Sequence, residues 1–227
     1  MKSEKQSPLA ASQKTRILIV EDHPIMLQGL TQMINQEKDL CVCGSAFDAH
    51  EALKRVTSLK PDLAIVDLSL KGMNGIELIK MLSDAKKKMP VLVLSMHDES
   101  LYAERVLRAG GRGYIMKQEA IEKVLVAIRR VLSGEIYLSE TMSAKLLEEF
   151  MGGASPKETS SVERLSNREL EVFQLIGKGK GTRQIAKELH LSVKTVEAHR
   201  ENIKKKLHVL SAVELVRHAV QWMESHF

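Results

Sequence analysis

Between residues 16 and 134 the spacing of apolar positions alternates between two periods. "RILIV" (16–20), "LAIVD" (63–67) and "VLVLS" (91–95) are short, continuous aliphatic runs, the form taken by strands buried on both faces. "LCVCGSA" (40–46) and "RGYIM" (112–116) complete a set of five. Between them lie amphipathic stretches that open near Pro24, Asp48, Asn74, Glu99 and Gln118. Pro24 suits a first helical position. "DAHE" (48–51) and "NGIE" (74–77) place a capping side chain three residues before a glutamate. Strands alternating with helices predict an α/β domain over 15–134, with a parallel, doubly wound sheet of five strands.

After "SGEIYLS" the strand period disappears. "SETMSAKLLEEF" (139–150) has the pattern of one helix, and "MGGASPKETSS" (151–161) the composition of a flexible connection, so 135–161 is expected to be a linker. Residues 162–227 predict an all-α domain of four helices. "SNRE" (166–169) opens the first as a capping box, "SAVE" (211–214) opens the last, and two short helices start near Thr182 and Ser192. "MKSEKQSPLAASQK" (1–14) is polar, lacks the apolar centre of a secretory signal, and is expected to be a disordered tail.

Composition narrows this picture slightly. The 44% apolar share supports packed cores, and the 4% aromatic share makes them aliphatic. No apolar run reaches the roughly 18 residues of a membrane span, so no membrane partner and a cytoplasmic location are expected. Cys41 and Cys43 stand two apart on one strand, too close for an unstrained disulfide and too few for a metal site, and are expected to be buried strand side chains. The net charge of +5 is uneven: residues 162–227 hold 12 basic and 8 acidic residues, which hints at nucleic acid.

Chemistry in a parallel α/β sheet gathers at the carboxyl ends of its strands. There the chain carries Glu21 and Asp22, Asp67, Ser95 and Lys117. Three carboxylates converging from two strands repel one another and call for a cation, and hard oxygen ligands suit Mg²⁺. A metal-held carboxylate facing a hydroxyl and an ammonium is a layout for phosphoryl transfer, with Asp67 as nucleophile.

"IVEDHPIM", "AIVDLSLKGMNGIEL", "VLVLSMHDE" and "AGGRGYIMK" resemble the receiver domain of two-component response regulators. The resemblance implies a flavodoxin-like receiver with Asp67 as phosphoacceptor, Glu21 and Asp22 as acidic metal ligands, and the Ser69 backbone carbonyl as a further Mg²⁺ ligand. It makes Ser95 and Lys117 the family's hydroxyl and lysine, and Tyr114 the switch aromatic that swings inward when the hydroxyl is drawn to the phosphoryl group. One departure is Lys71 where receivers usually have proline; loss of the fixed φ should loosen that loop and alter acyl-phosphate lifetime.

"RLSNRELEVFQLIGKGKGTRQIAKELHLSVKTVEAHRENIKKKLHV" resembles the LuxR-type helix-turn-helix, and the two parts together resemble the NarL/FixJ family of transcription factors. "LHLS" (189–192) is the expected turn and Ser192 the expected cap, with Val193, Val196, Ile203 and Leu207 on the inward stripe of the second helix. "GKGKGT" (177–182) lacks the spacing of a phosphate loop. The family's usual Ser and Asn before its first short helix are here Gly181 and Thr182, and Thr182 is expected to cap that helix.

Candidate DNA contacts are therefore Thr182, Lys194, Thr195, Glu197, Ala198, His199, Glu201, Lys204 and Lys205, in the major groove of double-stranded DNA with inverted half-sites. Two readings of Glu197 and Glu201 stay open: acceptance from cytosine, or a solvated face balanced by lysines. Val213, Leu215, Val216 and Val220, with Trp222, exceed what a small core needs and are candidate homodimer contacts. The resemblance implies a sensor histidine kinase as donor and a transcription factor rather than a turnover enzyme. A haloacid-dehalogenase-type phosphatase is disfavoured, because Ser69 stands where its second aspartate belongs. A phosphorylation-independent regulator is disfavoured by the intact Glu21, Asp22, Asp67 and Lys117.

Overall fold

β1 (Thr15–Val20) and β3 (Leu63–Val66) carry two of the aliphatic runs, and from Ile17 to Val20 and from Leu63 to Val66 no side chain is more than 1% exposed. Strands this dry need cover on both faces, and the chain supplies it with helices. The computed structural model describes residues 14–70, 72–84, 89–119, 121–151 and 161–226. β2 (Leu40–Ala46), β4 (Val91–Ser95) and β5 (Gly113–Met116) complete one parallel sheet in the order β2-β1-β3-β4-β5. One face packs against α1 (Pro24–Gln36) and α5 (Ile121–Leu132), the other against α2 (Ala49–Leu59), α3 (Gly75–Ser83) and α4 (Glu99–Arg108). This is the predicted doubly wound fold.

Local chemistry sets the helix starts. Pro24 is the first residue of α1, and the Asp48 side chain accepts from the Glu51 amide at the start of α2. Asn74 caps α3 by accepting from the Ile76 amide. α5 begins at Ile121, three residues later than expected, because Glu119 N–H first closes a turn on the Met116 carbonyl. The two cysteines are free and half-buried rather than buried. β1 pairs Ile17 with Val42 and Leu18 with Gly44, so Cys43 is an extra residue in an edge strand.

α6 (Glu140–Phe150) occupies the predicted linker helix. Residues 152–160 of the linker, residues 1–13 of the tail, and Lys71 lie outside the described residues. Beyond them a short 3-10 turn (Ser161–Arg164), which the periodicity did not suggest, leads into α7 (Asn167–Gly177), α8 (Thr182–Glu188), α9 (Val193–Leu207) and α10 (Ala212–His226). Ser166 and Glu169 form the full capping box at the start of α7. Val196, Ile203 and Leu207 are buried as predicted, but Val193 is 41% exposed. It is the first residue of α9, and burial along the stripe begins at Val196.

The two domains touch. Arg105 of α4 donates to the Leu165 carbonyl at 2.7 Å, to Asn167 Oδ1 at 3.0 Å and to the Glu163 carbonyl at 3.2 Å. Asn74 Nδ2 donates to Glu171 Oε1 at 2.5 Å, and Tyr102 Oη to Gln174 Oε1 at 3.2 Å. Arg168 pairs with Glu171 at 2.7 Å and also reaches the Gly72 carbonyl at 3.3 Å. Buried polar groups at such a junction require partners, and these have them.

Candidate phosphoacceptor pocket and nucleic-acid interface

Register brings the strand ends level. Val20 lies beside Val66, Val66 beside Val93, and Ser95 beside Met116, so the residue after each strand emerges at one edge. The ladder continues past the strands: Asp67 N–H donates to the Val20 carbonyl at 2.9 Å, and Lys117 N–H to the Ser95 carbonyl at 2.8 Å. Gly75 locks the loop from behind. A Cβ there would sit 2.5 Å from the Asp67 carbonyl oxygen and 2.6 Å from Leu68 Cα, so only glycine lets α3 close on the Asp67 backbone.

In the pocket Lys117 Nζ bridges Glu21 Oε2 at 2.7 Å and Asp67 Oδ2 at 2.8 Å. Burial pushes the Lys117 ammonium's pKa down, but the Asp67 and Glu21 carboxylates outweigh it and hold it above the usual value. Ligand atoms of Glu21, Asp22, His23 and Asp67 all lie within 4.8 Å of one another. One ammonium does not balance three carboxylates, and hard oxygens at this spacing fit a Mg²⁺-sized cation. Ser69 N–H donates to Asp67 Oδ1 at 3.2 Å, which places the Ser69 backbone against the same carboxylate. Ser95 is fully buried.

Tyr114 is already inside, 1% exposed, with its hydroxyl donating to the His97 carbonyl at 2.9 Å. Burial pushes its phenol pKa well above the ordinary value. His97 itself carried no signal in the sequence beyond its place after β4. Its N–H donates to Ser95 Oγ at 3.2 Å, and its Nε2 lies 3.1 Å from Ser69 Oγ. Burial pushes its pKa down to about 4; Lys178 and Lys117 add to that, and Asp67 opposes it. Asp22, Ser69 and His97 line a cavity of about 360 Å³ whose other wall is Arg168, Lys178 and His190 of the helical domain.

The second predicted site lies on α8 and α9. Ser192 caps α9, its hydroxyl accepting from the Thr195 amide at 3.0 Å and meeting Thr195 Oγ1 at 2.7 Å. Lys194, Glu197, Ala198, Glu201 and Lys205 are exposed, while Thr195, His199 and Lys204 are half-buried. Burial lowers the His199 pKa, Glu169 opposing and Arg168 adding to the effect. Glu201 pairs with Lys204 at 2.8 Å, whereas Glu197 makes no ion pair among the described residues. The polar contacts between the domains leave this outward face uncovered, since they use α7 and the 3-10 turn before it. Thr182 does not cap α8; Gly181 holds the cap position, its N–H donating to Gln184 Oε1 at 2.8 Å, and Thr182 is the first helical residue.

The dimer candidates divide. Val213 and Val216 are 80% and 39% exposed, and Val220 is half-buried. Leu215 is 0% exposed and Trp222 8%, so neither belongs to the outer face. α10 lies along α7, and Trp222 packs on Phe173 with ring centroids 5.6 Å apart, so the inner half of the apolar surplus closes the core.

Residues 17–129 match the family described as the response regulator receiver domain, and residues 163–219 match bacterial regulatory proteins of the luxR family. The chain belongs to the NarL/FixJ-type response regulators. It is 37% identical over 210 residues to the oxygen regulatory protein NreC of Staphylococcus aureus (strain JH9), with 91% of this chain and 97% of NreC covered. RcsB from Salmonella enterica serovar Typhimurium, bound to promoter rprA in the presence of phosphomimetic BeF₃⁻, is 26% identical with a TM-score of 0.59, covering 92% of this chain and 99% of that one. A LuxR-family response regulator from Aurantimonas sp. SI85-9A1 is 29% identical with a TM-score of 0.57, covering 61% of this chain and 99% of its own. This response regulator thus joins a receiver to a LuxR-type DNA-binding domain, the architecture of a transcription regulator. Among its described residues no helix is long and apolar enough to cross a membrane.

Proposed function

We propose that Asp67 accepts a phosphoryl group from the phosphohistidine of a sensor kinase, and that this switches binding of double-stranded DNA by α9. The observation that carries the reading is the Lys117 ammonium held between Glu21 and Asp67 at the end of the sheet. In the transfer, an Asp67 carboxylate oxygen bonds phosphorus as the phosphorus–nitrogen bond of phosphohistidine breaks, and the imidazole leaves with the electron pair. Lys117 stabilises negative charge on the transferring oxygens, and the Ser95 hydroxyl donates a further hydrogen bond. Glu21, Asp22, Asp67 and the Ser69 carbonyl would hold Mg²⁺, which supplies further charge neutralisation when bound.

Tyr114, buried beside Ser95, would hold the inward position of the activated receiver. Because the outward face of α9 is already uncovered, control is better served by pairing of DNA-binding domains than by unmasking the helix. Val213 and Val216, with Val220 at the edge, supply an apolar face for a two-fold homodimer on inverted half-sites. Lys194 and Lys205 would hold phosphates, and Glu197 would meet bases. The place of action is the cytoplasm, where kinase and promoter both lie.

Acetyl phosphate labelling tests the first half. The wild type should gain one phosphoryl group, and Asp67→Asn none; equal labelling of both would refute the assignment. Selection of DNA sites by the phosphorylated protein, repeated with Asp67→Asn, tests the second half. Sites enriched only by the phosphorylated protein are expected, and identical selections would break the link.

A further inference from the structure

His97 touches the pocket through three polar groups at once. Its N–H is bonded to Ser95, its carbonyl to Tyr114, and its ring Nε2 to Ser69. The ring then stacks on Tyr102, with centroids 4.6 Å apart and planes at 28°. Tyr102 is fully buried, and its hydroxyl donates to Gln174 Oε1 of α7. A continuous line of contacts therefore runs from Ser69, whose N–H donates to Asp67, through two stacked rings, into the DNA-binding domain.

We propose that His97 is a positioning residue which couples the charge state of Asp67 to docking of the DNA-binding domain, through Tyr102 and Gln174. The inference rests on Asp67 being the phosphoacceptor. A phosphoryl group there adds acceptor oxygens and negative charge next to Ser69, whose N–H already donates to Asp67. The two hydroxyls that hold His97, those of Ser69 and Ser95, are also the donors those oxygens recruit. Each hydroxyl drawn to the phosphoryl group costs His97 a bond, so its ring is freed to shift against Tyr102. The Tyr102–Gln174 bond, 3.2 Å long, exceeds the usual O–H···O range and is the contact that yields. Phosphorylation thereby weakens docking, and by linkage weaker docking must strengthen uptake of the phosphoryl group or its mimic.

That reciprocity gives a test without DNA. Beryllofluoride with Mg²⁺ is titrated calorimetrically into the full-length chain. Gln174→Leu and Tyr102→Phe remove groups that do not touch Asp67, yet each should tighten beryllofluoride binding about fivefold, the fold-change of one ordinary hydrogen bond. In a His97→Phe background, which keeps a stacking ring but drops the Ser69 bond, Gln174→Leu should add less than about twofold. Unchanged or weakened affinity in both single variants would overturn the proposal, and so would a full effect that persists without His97. A wild type that takes up no beryllofluoride would instead overturn the reading of Asp67 itself. Using two single variants keeps the test decisive if one of them folds poorly.

Discussion

The Lys117 ammonium lies 2.8 Å from the Asp67 carboxylate, and the two side chains are only 4% and 1% exposed. A buried pair of this kind fixes where Asp67 points, and breaking it leaves a charge without its partner. Lys117→Met should therefore abolish measurable labelling by acetyl phosphate. It should also lower stability by about 3 kcal/mol in metal-free buffer, because Glu21 and Asp67 then face each other unneutralised. Mg²⁺ should restore part of that loss, raising the melting temperature of the variant more than that of the wild type. Equal Mg²⁺ responses in thermal melts would contradict the cation site.

Arg105 ties the domains together through three acceptors across the junction. Arg105→Ala should weaken docking by about 2 kcal/mol while sparing the fold of either domain. Distances between labels placed on α5 and α10 should broaden in the variant. A distribution identical to that of the wild type would show that the contact contributes nothing to docking.

Glu169 ties the α7 cap to α9. Burial raises its pKa, but the Lys206 ammonium at 2.6 Å and the Ser166 amide outweigh that and hold it below the ordinary 4.5. A depressed carboxyl pKa stabilises the fold above the unfolded value and loses that contribution as pH falls through the folded one. Glu169→Gln should therefore cost about 1–2 kcal/mol at pH 7. The gap to the wild type should close below about pH 4.5. Denaturation curves taken from pH 7 down to about pH 2 span both ends of that window, and a gap that stays constant throughout would refute the assignment.

Glu197 and Glu201 differ in a way their spacing does not reveal. Glu201 is paired with Lys204, while Glu197 stands exposed without a cation partner among the described residues. Glu197→Ala should change base preference at one or two positions per half-site, with non-specific affinity equal or higher. Glu201→Ala should change preference less. A uniform loss of affinity for all sequences would exclude base contact by Glu197.

Val213 and Val216 carry the exposed part of α10. Val213→Asp should leave the melting temperature near that of the wild type and lower cooperative binding to paired half-sites by about tenfold. Leu215→Asp, in contrast, should unfold the domain, since it buries an unpaired charge. Cooperative binding retained by Val213→Asp would move the pairing surface elsewhere.

Much of the molecule follows from local rules that act along the chain. Aliphatic runs of four to six residues between capped amphipathic segments admit few arrangements other than a parallel sheet with helices on both faces. Strands in that sheet end at one edge, so the chain pattern alone puts Glu21, Asp67, Ser95 and Lys117 at that edge. Ser166 with Glu169, and Ser192, likewise mark their helices by short-range hydrogen bonds.

What depended on tertiary structure is what depends on a partner far away in the chain. Leu215 and Val213 are two positions apart with the same apolar character, and only the path of α10 along α7 buries one and exposes the other. Val193 fits the inward stripe of α9 yet is exposed at the start of the helix, while Val196 beyond it is buried. His97, Tyr102 and Gln174 belong to three separate elements with no shared pattern, and the packing of one domain on the other is what lines them up behind Asp67. Periodicity reports which face of an element is apolar; it carries no information about which distant element covers that face, and here that cover decides both the core and the route between the two sites.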